Sequence, residues 1–150
     1  MDRRIAAFLM IACNGAIADD VLRRIEGTYE MPSECTVINE KGLHERCGPG
    51  TRDRLTIRKL SEKTAQVELY SVQINGHQCE ISAVAELAGD SLVYLEPRIQ
   101  KEQPGQGLRI EITKTALVLG YLKPLTHGDP FCGTRGYVSR LKFAQSTKLK

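Results

Sequence analysis

The stretch AQVELYSVQINGHQCEISAVAEL, residues 65–87, decides how this chain folds. Apolar and polar residues alternate on both sides of Asn75-Gly76, and Asn-Gly suits the two positive φ angles of a tight hairpin turn. Two antiparallel strands are therefore expected, Ala65 to Ile74 and His77 to Leu87. A two-residue loop sets Val72 opposite Cys79 and Tyr70 opposite Ile81, so that one face receives apolar side chains from both strands. Val67 and Leu69 fall on the other parity, and a bulge at residues 69–71 is needed to bring both sets inward.

The same alternation continues outward from this hairpin. Gly89-Asp90 supplies the next reversal, with Leu87 facing Leu92 and Ala85 facing Tyr94. Beyond a polar, mobile loop from Pro97 to Gly107, a turn at Lys114-Thr115 pairs Ile112 with Leu117, Ile110 with Leu119 and Leu108 with Tyr121. Upstream, a helical turn at Val21 to Ile25 precedes a strand near Gly27 to Glu30, and Thr36 to Asn39 and Leu55 to Leu60 are the next two. Tyr137 to Phe143 supplies the last strand. The fold class is all-β: a meandering antiparallel β-barrel of about eight strands, or a curled sandwich. The barrel is preferred because closure removes free sheet edges. Without a repeat or a Ser- or Pro-rich linker, residues 19–150 read as a single domain.

The N-terminal segment MDRRIAAFLMIACNGAIA, residues 1–18, reads as a cleaved signal peptide. Arg3 and Arg4 precede an apolar run from Ile5, and Ala16-Ile17-Ala18 has the small residues of a cleavage site. The expected location is periplasmic or secreted. The run is broken by Asn14 and Gly15 and is shorter than the ~20 residues of a membrane span, so no transmembrane segment is expected. A second route starts from Leu9-Met10-Ile11-Ala12-Cys13, an imperfect lipobox, and would make the chain an outer-membrane lipoprotein anchored at Cys13. Export turns Cys35, Cys47, Cys79 and Cys132 into disulfide partners rather than metal ligands. Three connectivities are open to four cysteines. Proximity favours Cys35 with Cys47, which flank the hairpin-like connection INEKGLHER, and leaves Cys79 for Cys132. No C-x-x-C pair exists, His44 near Cys47 is the closest approach to a ligand set, and no metal site is expected.

Net charge is +3 with 26% charged residues, which points to no nucleic acid, since nucleic-acid domains carry a dense basic face with aromatics. Arg52, Arg54, Arg58 and Lys59 form the one basic cluster and read as a solvated strand edge. No G-x-S-x-G, H-E-x-x-H or phosphate-binding glycine loop is present, so neither catalysis nor a cofactor is expected. Asp129-Pro130 starts a turn beside a solvated His127. The loop HGDPFCGTRGY, residues 127–137, concentrates glycines, a cysteine and interface-type residues, which makes His127, Phe131, Arg135 and Tyr137 the candidate binding residues. The alternative for this loop is structural, with Cys132 as its anchor and Phe131 buried.

The order of a signal peptide, Gly27-Thr28-Tyr29, Asn75-Gly76-His77-Gln78-Cys79, Gly89 to Tyr94 and Phe131 to Gly136 resembles small Gram-negative periplasmic β domains, among them bacterial lysozyme inhibitors. The resemblance covers most of residues 27–143. It implies a protein partner, inhibited through a loop of pattern S-G-x-x-Y. Ser91-Leu92-Val93-Tyr94 lacks that glycine and falls in a strand, so no inhibitory residue carries over. The expected function is an exported, non-catalytic binding protein, an inhibitor or immunity factor against a cell-wall hydrolase such as lysozyme. The alternatives are a barrel holding a small apolar ligand and an envelope hydrolase, which needs titratable groups gathered in one cleft.

Overall fold

The computed structural model describes residues 20–126, 128–132 and 136–150. Its strands are β1 (Gly27–Pro32), β2 (Thr36–Ile38), β3 (His44–Arg46), β4 (Arg52–Lys59), β5 (Thr64–Val72), β6 (Gln78–Ala88), β7 (Ser91–Leu95), β8 (Gly107–Ile112), β9 (Ala116–Tyr121) and β10 (Lys142–Ala144). Eight of them form one antiparallel sheet in the order β1-β4-β5-β6-β7-β8-β9-β10, and β2 with β3 forms a separate hairpin. The large sheet curls until its ends meet: Leu149 N donates to Thr28 O at 2.7 Å, and Lys148 bridges Tyr29. This is the expected all-β, barrel-like meander, and its two disulfides are Cys35–Cys47 and Cys79–Cys132.

Period-two alternation builds the interior. Leu55 and Ile57 of β4, Val67 and Leu69 of β5, Ile81 of β6, Ile110 of β8 and Leu119 of β9 all point into one contiguous core. The short helix at residues 20–25 adds Leu22 and Ile25, both fully buried, and Tyr29 donates its hydroxyl to Ile25 O at 2.8 Å. Each fully buried large apolar side chain contributes roughly 1.5–3 kcal/mol.

The β8–β9 register is as expected, with Ile112 facing Leu117, Ile110 facing Leu119 and Leu108 facing Tyr121. The central hairpin differs by one residue. Leu69 faces Ile81 and Ser71 faces Cys79, and Gln73 N donates to His77 O at 2.7 Å. Asn75 and Gly76 do have positive φ, 58° and 70°. The loop nevertheless spans three residues, because Ile74 leaves the ladder to bridge Thr36. One residue in the loop reverses the parity of every side chain behind it. Val67 and Leu69 therefore face inward without a bulge, and Tyr70 faces out.

Four further expectations are corrected. Leu87 faces Leu92, but the β6–β7 ladder stops at Glu86–Val93, so Ala85 and Tyr94 do not pair. β4 lies between β1 and β5, so Arg52, Arg54 and Arg58 occupy the outer face of an interior strand rather than an edge; Arg54 pairs with Glu30 at 2.6 Å. The last strand is Lys142–Ala144, and Val138–Arg140 is a 3-10 turn. The loop from Pro97 to Gly107 is stitched internally. Gln100 Nε2 donates to Glu96 O at 2.8 Å and Gln106 O at 2.7 Å, and the buried Gln106 donates to Lys123 O at 2.9 Å.

Candidate functional site

The Cys35–Cys47 hairpin is built to project. Asn39 folds its tip: Oδ1 accepts from Lys41 N at 2.9 Å and Leu43 N at 3.0 Å, while its backbone N–H donates to Leu43 O at 2.9 Å. Gly42, at φ 75°, supplies the left-handed position that the turn requires. At the base, Cys47 N donates to Cys35 O at 3.0 Å and Cys35 N to Ser33 Oγ at 3.1 Å, and the Ser33 hydroxyl donates to Val72 O.

Beneath that base lies the carboxylate of Asp53, 1% exposed, which accepts Val72 N at 3.0 Å. Burial pushes its pKa above the ordinary carboxylate value, against smaller opposing contributions from Val72, Ser71 and Ser33. The hairpin is thereby rooted on β4 and β5 as well as closed by its own disulfide.

Both of its faces carry exposed apolar side chains, since Val37 and Ile38 are consecutive on β2. Val37, Ile38 and Leu43 are 40%, 55% and 60% exposed, and Ile74, bridged to Thr36, is 46% exposed. The residue before Ile74 extends this rim: Gln73 Nε2 donates to Tyr137 O at 3.0 Å and Gln73 Oε1 accepts Tyr137 N at 2.9 Å. Tyr137 is 40% exposed beside them. Glu34, Glu40, Lys41 and Arg46 of the same segment are exposed as well. Apolar residues grouped inside a polar border mark interaction sites.

The loop expected to bind is held from within by Asp129. Oδ1 accepts Phe131 N at 2.7 Å and Cys132 N at 3.1 Å, while Oδ2 accepts Val138 N at 3.1 Å and the Tyr121 hydroxyl. Asp129 does start a turn, as its sequence predicts, but as a buried carboxylate serving four donors. Burial, and then the hydrogen bond to Asp129 and that carboxylate's charge, push the Tyr121 phenol well above its ordinary value. Gly136 is required because a Cβ there would lie 2.6 Å from Cys132 Cβ and 3.2 Å from Cys79 Sγ.

Of the four candidate binding residues, Tyr137 sits at the rim, whereas Phe131 is buried with its ring centroid 6.5 Å from that of Tyr94. His127 and Arg135 lie outside the described residues. Sequence reasoning missed Val37, Ile38 and Leu43; the usable signal was the presence of apolar residues inside the polar segment INEKGLHER, bracketed by cysteines. Among the described residues, no group of three or more His, Cys, Asp or Glu side chains is placed to hold a metal ion.

Fold and site together define a disulfide-bonded, all-β barrel-like domain with a stapled hairpin at one end. No protein family, curated protein or solved structure matches this chain.

Proposed function

We propose that this domain is a non-catalytic protein-recognition module that grips a folded partner with the rim of Val37, Ile38, Leu43, Ile74 and Tyr137. The partner class is a cell-wall hydrolase, which the domain inhibits or to which it confers immunity. The observation that carries the reading is the hairpin closed by Cys35–Cys47, with three large apolar side chains exposed on six strand residues and one short loop. A loop already fixed in shape loses little entropy on binding, which is how rigid inhibitory loops gain affinity. Residues that would line a ligand chamber, such as Leu55, Ile57, Leu92 and Leu119, instead pack into a single core, which counts against the small-ligand barrel.

The two disulfides agree with an oxidising compartment outside the cytoplasm. Among the described residues, no helix is long and apolar enough to cross a membrane. The signal peptide and Cys13 lie outside the described residues.

The test uses residues 19–150 as bait against periplasmic and secreted extracts and a panel of purified cell-wall hydrolases. Capture of a hydrolase with loss of its activity supports the reading. Leu43→Asp should then weaken capture by about 2 kcal/mol or more, the scale of an interface hot spot, without lowering Tm. Equal capture by the variant sinks the assignment of the rim.

A further inference from the structure

β6 changes neighbours part of the way along its length. From Glu86 to Ala88 it pairs with β7, while at Glu80 its N–H reaches the Phe131 carbonyl at 3.4 Å. Between these points, residues 81–85 have β5 on one side and, among the described residues, no strand on the other. β7 leaves β6 after Val93 and stays with β8 through Leu95, opposite Gly107. The divergence has a cause on each side of the gap. Cys79–Cys132 ties the 129–132 loop to β6, so that Phe131 wedges against Tyr94. The buried Glu96, just past β7, is drawn to the exposed Arg98, Nε to Oε1 at 2.7 Å and Nη2 to Oε2 at 3.1 Å.

The gap is a cleft of about 280 Å³, with residues 80–83 on one wall and Tyr94, Glu96, Arg98 and Phe131 on the other. Successive strand side chains point to opposite faces, so four consecutive residues line one cleft only where it runs along the strand's edge. The direction of the backbone follows from the ladder. Leu87 N donates toward β5, to Lys63 O at 2.7 Å, whereas Glu80 N points away from β5. In an antiparallel strand this alternates residue by residue. Ser82 and Val84, of the same parity as Glu80, therefore turn their N–H and C=O groups away from β5, Ser82 into the cleft and Val84 at the open seam beyond it. Ser82 and Val84 are exposed, and main-chain groups along an exposed strand edge form a template for a further strand.

We propose that this seam receives a short extended peptide segment of a partner protein, completing the ladder at Ser82 and Val84. A strand-like backbone is the ligand that offers a donor and an acceptor at the two-residue spacing of this edge. The cleft walls set the side chains. Tyr94 and Phe131 provide an apolar seat, the guanidinium of Arg98 is engaged by Glu96, and the exposed carboxylate of Glu80 is left to favour a basic residue. Because Phe131 closes one end and Val93 the other, the segment is short. The residues of the seam are not those of the rim, and the proposal does not rest on the rim's assignment.

The test titrates ¹⁵N-labelled protein with the acetylated, amidated pentapeptide VKVYV, its counterpart with Glu in place of Lys, and a form N-methylated at the central Val. Val84→Pro removes a seam-facing N–H while sparing every bond to β5, a substitution that strand edges tolerate. Binding should move the amide signals of Ser82 and Val84. The Glu peptide, the N-methylated peptide and Val84→Pro should each bind about tenfold more weakly, as loss of one ion pair or main-chain hydrogen bond implies. If Val84→Pro does not fold, the N-methylated peptide decides alone. Unmoved Ser82 and Val84 amides, or undiminished binding of the N-methylated peptide, overturn the proposal. Self-association that Val84→Pro abolishes also overturns it and assigns the seam to a second copy of the chain.

Discussion

Gln73 and Tyr137, 64 residues apart in the chain, meet through a two-way amide contact in which one side chain imitates a neighbouring strand. That contact joins the central turn to the C-terminal loop. Replacing Gln73 with Ala should cost about 1 kcal/mol, the net value of an ordinary hydrogen-bond contact. It should also raise amide exchange at Tyr137 selectively, measured by hydrogen exchange; uniform exchange would show that the loop is held elsewhere.

Asp129→Asn removes one acceptor oxygen and introduces a donor facing Tyr121 and Val138. An expected loss of about 2–3 kcal/mol follows from leaving buried donors unsatisfied. Urea denaturation checks it, and a change below 0.5 kcal/mol, the scale of a typical surface substitution, would show that the carboxylate is dispensable.

The two disulfides should differ in effect. Chain separations of 12 and 53 residues correspond to about 3 kcal/mol for Cys35–Cys47 and about 4 kcal/mol for Cys79–Cys132 in the loop-entropy account. Double Cys→Ser variants, compared by Tm, should rank in that order. The Cys35–Cys47 variant should lose partner capture while the rest of the barrel stays folded.

Stability should fall at both extremes of pH. The Arg98 hydrogen bonds hold the Glu96 carboxyl below 4.5, so its contribution is present above that value and is lost as pH drops through the folded pKa. Asp53 is raised by burial and has the opposite sign, its contribution being present in acid and lost as pH rises through its folded pKa. Glu96→Gln should therefore flatten the acid limb of a Tm-versus-pH curve, and Asp53→Asn should steepen it. On the alkaline side, Tyr29, Tyr94 and Tyr121 are raised above 10.0, chiefly by burial, and their contribution is lost as pH climbs through the folded values. Tyr121→Phe should reduce the alkaline slope; an unchanged slope would exclude Tyr121 as a source.

Much of the barrel was legible because short reversals leave little freedom in register. Ile112 and Leu117 had to face each other once the turn between them was placed. The central hairpin differs by one residue from its local pattern for a reason outside its own sequence: Ile74 is drawn off by Thr36 of β2, with β3, β4 and β5 lying between them in the chain. Asp129 reads as a turn former from Asp-Pro alone, but its four donors include Tyr121 and Val138, which local chemistry does not reveal. Leu43 and Phe131 show the remaining gap. Both are large and apolar in loops, and only the packing of other segments decides that one is exposed and the other covered.

The hydrogen bond from Leu149 to Thr28 gives the domain a direction in time. A polypeptide made from its N-terminus presents β1 early, yet one flank of that strand waits for residues 148 and 149 to emerge. Closure of the sheet thus pairs segments about 120 residues apart, a contact of the long-range kind that forms slowly. Until then the sheet is an open ribbon, with one flank of β1 unpaired.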